Sequence, residues 1–220
     1  MVALPFPAPS ALPEADAAAD PQDGVKRRQI MEGARAAFLA KGFDGASMND
    51  VAREAGVSKG TLYVYFTSKE ALFEALVRDG KARQAERLAK LSDDLDPAEA
   101  LRRYGVSLLE AMTAPDSIAQ LRTIIGVTAK FPQIGRAFYE AGVAHGVENL
   151  SRYLAAETAR GRLAVADPAM AAMQFLDLCK SGLLQKLLFG YVEALTQAEI
   201  EANVARGVET FMAAFGPRRG

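Results

Sequence analysis

Several scarcities narrow what this chain can be. It holds one cysteine, Cys179, so no internal disulfide can form and a disulfide-stapled secreted domain is excluded. A single cysteine on an apolar stretch reads as a small buried hydrophobe. The only histidine, His145, cannot supply the paired Glu-x-x-His ligands of a helical di-iron site, and no metal site is expected. Neither a P-loop nor a Gly-x-Gly-x-x-Gly after a strand is present, and no motif supports a Cys179–His145 nucleophile pair. An enzyme is therefore not expected, nor is a cofactor. No run approaches the roughly 18 to 20 apolar residues needed to span a bilayer. The opening MVALPFPAPSALPEADAAAD has neither a basic leader nor an apolar core, so a signal peptide is not expected and the cytoplasm is the expected location. Strand-like alternation and internal repeats are missing too.

What is present is a helical, globular composition, with 50% hydrophobic and 24% charged residues. The net charge of −1 conceals an uneven distribution. Residues 1 to 23 carry four acids and no base. Residues 24 to 90 carry 13 Lys/Arg against 8 Asp/Glu, a surplus of five, and residues 91 to 220 carry 13 against 15. Only one part of the chain is thus suited to meet phosphate. The Ala/Pro-rich residues 1–22 read as a disordered tail, because they cannot bury enough surface to offset ordering.

From there the sequence reads as about nine helices, four before residue 91 and five after. The first runs from Val25 to Lys41, with Ile30, Ala34, Ala37 and Phe38 on one face and Gly42 as its left-handed stop. Ser47 with Asp50 marks a second helix that ends at Gly56. Ser58 caps a third, Lys59 to Phe66, and Thr67 with Glu70 marks a fourth, long helix reaching Leu91. Asp96 before Pro97, Asp167 before Pro168, and Thr196 with Glu199 mark later starts.

Residues 47 to 66, SMNDVAREAGVSKGTLYVYF, have the two short helices and glycine-containing turn of a helix-turn-helix. Projection at 100° per residue turns Leu62 and Phe66 inward and Gly60, Thr61 and Val64 outward, with Tyr63 and Tyr65 on the flanks. The outer face suits the major groove: Thr61 for a base edge, Val64 for a thymine methyl, and Gly60 for close backbone approach. Lys59 can reach a base or a phosphate, and the two tyrosine hydroxyls can reach phosphates. Ser47 and Lys69 sit at helix N-termini, where free amides favour an anion. Lys26, Arg27 and Arg28 can meet phosphates or the minor groove. A solvated helical hairpin is the plainer alternative, but two tyrosines and a glycine make an unusual solvated face.

The stretch RRQIMEGARAAFLAKGFDGASMNDVAREAGVSKGTLYVYFTSKEALFEALV resembles the N-terminal domain of the TetR family of bacterial repressors over about 50 residues. The resemblance implies an all-α fold: a three-helix reading domain over residues 23–68, joined by a long helix to an effector-binding and dimerisation domain over 69–220. It places Ser47, Lys59, Gly60, Thr61, Tyr63, Tyr65 and Lys69 at DNA-contacting positions. Tyr65 stands where histidine is common, and Met48 where a threonine hydroxyl is common. FPQIGRAFYEAG and the following helix resemble the C-terminal domain of the AefR-like branch.

The implied partners are double-stranded pseudo-palindromic operator DNA, a second copy of the chain, and a small apolar or amphipathic effector, with no membrane. The dimer interface falls on the last two long helices, about Pro168 to Phe189 and Gln197 to Phe215. Candidate effector contacts are Tyr104, Leu108, Met112, Ile125, Phe131 and His145, although a residue of this kind at helical spacing is more often core than ligand contact, and for His145 a surface position fits equally well. The expected function is a regulator, a repressor released from DNA by its effector. A DNA-architectural protein, an activator and a corepressor-dependent repressor remain open.

Overall fold

The computed structural model describes residues 21–88 and 90–217, the side chains of Pro21, Gln22 and Arg87 excepted. The described residues form eleven α-helices and one π-helical turn. They divide into a unit that ends at Phe66 and a unit that starts at Thr67. The tail expected over residues 1–22 lies, up to residue 20, outside the described residues.

The first unit holds α1 (Pro21–Gly45), α2 (Met48–Ala55) and α3 (Lys59–Tyr65). The first helix starts four residues before the expected Val25 and breaks at Gly42 (φ 70°, ψ 171°), a conformation that a Cβ would disfavour. The break lets Phe43 return toward Phe38, with ring centroids 5.8 Å apart. Ile30, Ala34, Ala37 and Phe38 are buried as their spacing requires. A glycine then brings α1 close to α2: a Cβ at Gly33 would lie 2.4 Å from the Ala55 nitrogen and 2.6 Å from its Cβ. Beside it, Gln29 Nε2 donates to the Ala55 carbonyl at 2.6 Å.

The second unit contains α4 (Lys69–Arg87), α5 (Pro97–Thr113), α6 (Pro115–Thr128), α7 (Pro132–Phe138), a π turn (Tyr139–Ala144), α8 (His145–Ala159), α9 (Pro168–Lys180), α10 (Leu183–Leu188) and α11 (Gln197–Phe215). Proline opens α5, α6, α7 and α9, where its missing N–H has no partner to lose. The fourth helix is capped by Ser68, whose side chain accepts from the Ala71 amide, not by Thr67, and it ends at Arg87, short of Leu91. The expected single helix from Pro168 to Phe189 is two. It breaks at Ser181–Gly182, where Gly182 adopts φ 73°.

The core of this unit lies among α5, α8, α9 and α11 and includes Leu101, Leu154, Phe175, Val204 and Phe211. Phe175 and Phe211 meet edge-on at 5.3 Å, a geometry contributing roughly 1 kcal/mol beyond area burial. Cys179 is buried there, and its backbone carbonyl accepts from Asn203 Nδ2 at 2.7 Å. Glu157 is also fully buried, held by Arg160 at 2.7 Å and Arg162 at 2.5 Å. Arg162 also donates to the Asp93 and Leu95 carbonyls, tying down the connection between α4 and α5. No helix among the described residues is long and apolar enough to cross a membrane.

Candidate DNA-reading surface and effector cavity

Two caps fix the reading helix. The Ser47 side chain accepts from the Asp50 amide while Asp50 accepts from the Ser47 amide, a reciprocal box that starts α2. Lys41 donates to Asp50 at 2.6 Å and, with the Ser47 contacts, holds its carboxyl well below the usual range. The second helix stops at Gly56, which is left-handed at φ 61°. Ser58 then accepts from the Thr61 amide and starts α3.

The third helix falls on its predicted faces. Leu62 is fully buried and Phe66 is buried, whereas Val64 is 81% exposed and Tyr63 is 42% exposed. Lys59 and Gly60 are exposed and Thr61 is half-buried. The Thr61 hydroxyl shares a 2.8 Å hydrogen bond with Ser58, so its donor or acceptor role toward a base is set by that partner. Lys59 Nζ lies 6.0 Å from the Tyr63 ring centroid. Tyr65 is half-buried, and its hydroxyl donates to Asp23 on α1 at 2.7 Å. A phosphate would have to displace that carboxylate.

Ser47 is exposed, with its hydroxyl also donating to Asp50. Met48 is buried, so the residue in place of threonine serves the core. Of the basic cluster, Lys26 donates to Gln29, and Arg27 stacks 5.3 Å from the Phe66 ring centroid and thus supports packing. Arg28 is exposed. Lys69 is the first residue of α4, in the second unit.

The second unit contains a partly open cavity of about 840 Å³, large enough for a drug-sized ligand. Tyr104, Leu108, Met112 and His145 line it, together with apolar Leu121, Leu176 and Leu184. Two expected contacts do not. Ile125 is 59% exposed, and Phe131 lies outside the lining, with Lys130 Nζ 5.2 Å from its ring centroid. Helical spacing identified both as apolar positions without identifying which way they face.

Among the cavity's polar groups, sequence reasoning named Tyr104 and His145 but missed Lys81 and Tyr153. Lys81, on α4, lines it with its ammonium 4.3 Å from the Phe138 ring centroid and hydrogen-bonded to Gln84 at 2.9 Å. Burial pushes this ammonium down to about 8. Tyr153 also lines the cavity, and its buried hydroxyl has no hydrogen-bond partner among the described residues. Burial pushes the phenols of Tyr104 and Tyr153 up to about 12. His145 is exposed at the cavity's edge and shares a 2.9 Å hydrogen bond with Asn149. The π turn supplies Ala141, Gly142 and Val143 to the wall; such wide turns recur at functional sites.

Comparison with known proteins agrees with both halves. Residues 30–76 match the tetR family of bacterial regulatory proteins, and residues 99–217 match the C-terminal domain of AefR-like transcriptional repressors. The chain is 30% identical over 173 residues to the HTH-type transcriptional repressor Rv1474c of Mycobacterium tuberculosis, covering 76% of this chain and 84% of that protein. It is 27% identical over 165 residues to the HTH-type regulator YfiR of Bacillus subtilis, covering 74% and 80%. Among solved structures, a TetR-family regulator from Mesorhizobium loti superposes with a TM-score of 0.84 at 29% identity, covering 90% of this chain and all of that one. The flavonoid-responsive regulator FrrA gives a TM-score of 0.78 at 35% identity, covering 89% and 100%. With matches over both its reading helices and its helical C-terminal half, the chain belongs to the TetR family of DNA-binding transcriptional regulators.

Proposed function

We propose that this protein is a repressor that holds a pseudo-palindromic operator as a homodimer and releases it when a small amphipathic effector enters the cavity of its second unit. The observation that carries the reading is that α4 contributes Lys81, Gln84 and Ala85 to the cavity wall, and Leu88, the residue that ends the helix, joins them. That same helix begins at Lys69, three residues after Phe66 closes the reading unit. An effector that favours one position of α4 biases the spacing of the two reading helices, and operator affinity changes by its differential affinity for the two states.

On DNA, Lys59, Gly60, Thr61 and Val64 face the base edges, while Tyr63, Tyr65, Ser47, Lys69, Lys26 and Arg28 hold phosphates. Dimerisation involves α9, α10 and α11; Met170 on α9, and Phe189 and Tyr191 just after α10, leave apolar surface exposed. Likeness to a flavonoid-responsive regulator supports an aromatic, hydroxyl-bearing effector.

Fluorescence anisotropy on duplex DNA from upstream of the protein's own gene tests the reading, with random duplex as control. Selective binding that weakens steeply with salt is expected. Tyr63→Ala should lose about tenfold or more in affinity with no change in melting temperature, since the ring is largely outside the core. Equal affinity for both duplexes at every salt concentration would overturn operator recognition.

A further inference from the structure

We propose that the effector is an anion: an apolar, ring-sized molecule with one negatively charged group that pairs with Lys81. The inference rests on the reading of the cavity as the effector site and adds the ligand's charge to it.

Charge compensation within the cavity singles out Lys81. Among the described residues five cations line it, Lys81, Lys90, Arg152, Arg160 and Lys180, against one acid, Asp93. That acid is already engaged, at 2.6 Å from Arg160, which also holds Glu157. Lys180 pairs with Asp177 at 2.7 Å, Arg152 donates to Asn149, and Lys90 is exposed to water. Lys81 differs from all of these. It is partly buried, and its polar contacts among the described residues are one amide oxygen and one aromatic face. Among the described residues no ion pair offsets its charge.

Packing holds the ammonium in place. A Cβ on Gly142 would come within 3.0 Å of Lys81 Cδ and 3.4 Å of Cε, so the glycine of the π turn leaves room for the lysine stem. Phe138 then covers the head from the end of α7. Burial lowers the affinity of Lys81 for its proton but leaves it mostly charged at neutral pH.

Three kinds of occupant would meet this wall differently. A cation is repelled. A neutral apolar molecule removes water from Lys81 and offers nothing in return, which disfavours binding. An anion supplies the missing counter-charge in a setting where charge-assisted hydrogen bonds are strongest. Leu108, Met112, Leu176 and Leu184 accept the apolar body. Because Lys81 belongs to α4, the ligand's charged group acts on the helix that leads from the reading unit.

Two fluorescent probes with one skeleton test the charge: 8-anilinonaphthalene-1-sulfonate and its neutral counterpart N-phenyl-1-naphthylamine. The full-length protein should bind the sulfonate about tenfold tighter, and the sulfonate should displace the neutral probe. Lys81→Met should bring sulfonate affinity down to that of the neutral probe, Lys81→Arg should keep the preference, and Lys186→Met, outside the cavity, should leave it unchanged. If the native protein binds both probes equally, or if Lys81→Met retains the preference, the anion assignment is wrong while the cavity stands. The equality test needs no variant and so survives any misfolding of Lys81→Met. If neither probe binds, the effector-site reading fails as well.

Discussion

The two units use their polar side chains in opposite ways. In the first, hydroxyls and carboxylates are matched within the unit: Ser47 with Asp50, Ser58 with Thr61, Lys41 with Asp50, and Tyr65 with Asp23. These bonds fix helix ends and leave α3 exposed on one preformed face. In the second, polar groups at the cavity stay incompletely matched: Lys81 lacks a counter-ion and Tyr153 lacks a hydroxyl partner among the described residues. A reading surface needs rigidity before its partner arrives, whereas an effector site gains selectivity from what its partner must complete.

The sharpest way to break this comparison is at Gly33. A valine there would drive its Cβ into the Ala55 backbone, so Gly33→Val should cost the first unit about 3 kcal/mol. Operator binding should vanish while the second unit still binds the neutral naphthylamine probe, measured side by side by anisotropy and fluorescence. Loss of both would show that the units do not fold independently.

Glu157 offers the reciprocal cut. Its carboxylate is fully buried between two guanidinium groups that reach solvent, so Glu157→Ala should lower stability by about 2 kcal/mol in urea melts. Probe binding should weaken, because Arg160 lines the cavity. Exchange protection of α1 to α3 should be unaltered.

A smaller effect, of opposite sign, is expected at Asp23. Removing the carboxylate that accepts from Tyr65 takes a negative charge away from the proposed DNA-facing side, so Asp23→Ala should tighten operator binding about threefold. Weaker binding would mean that Asp23 orders Tyr65 for DNA. The smallest effect concerns pH. Asp50 titrates lower in the folded protein than in the unfolded chain, so its contribution is complete above about pH 4 and fades on acidification toward its folded value. The acid slope of stability should be shallower in Asp50→Asn.

Legibility in the sequence followed the range of the interaction. The α3 faces and the caps at Ser47, Ser58, Asp167 and Thr196 were readable because each is settled within about four residues. Where two adjacent hydroxyls competed, Thr67 and Ser68, local pattern gave the wrong one. Gly33 passed unnoticed because its need arises from Ala55, in another helix. The break at Gly182 was masked by apolar residues on both sides, although the Ser181–Gly182 pair was a usable signal. At the cavity, four of the six expected residues line it, and Ile125 and Phe131 do not. Lys81 gave no signal at all: a lysine on a polar-looking helix is ordinary until Phe138 and Gly142, about 60 residues later, enclose it.

One contact from α6 has a consequence for how the second unit breathes. Arg122 donates to the carbonyls of Leu187 and Leu188, the open end of α10. A six-residue helix cannot persist by its own hydrogen bonds, and no side chain caps its start. Its order therefore comes from the burial of Leu183 and Leu187 and from a guanidinium some 65 positions earlier in the chain. Hydrogen exchange should find residues 183–188 opening as a separate cooperative step, below the energy that opens α9 or α11. When that step occurs, the exposed rings of Phe189 and Tyr191 lose the rigid base that presents them.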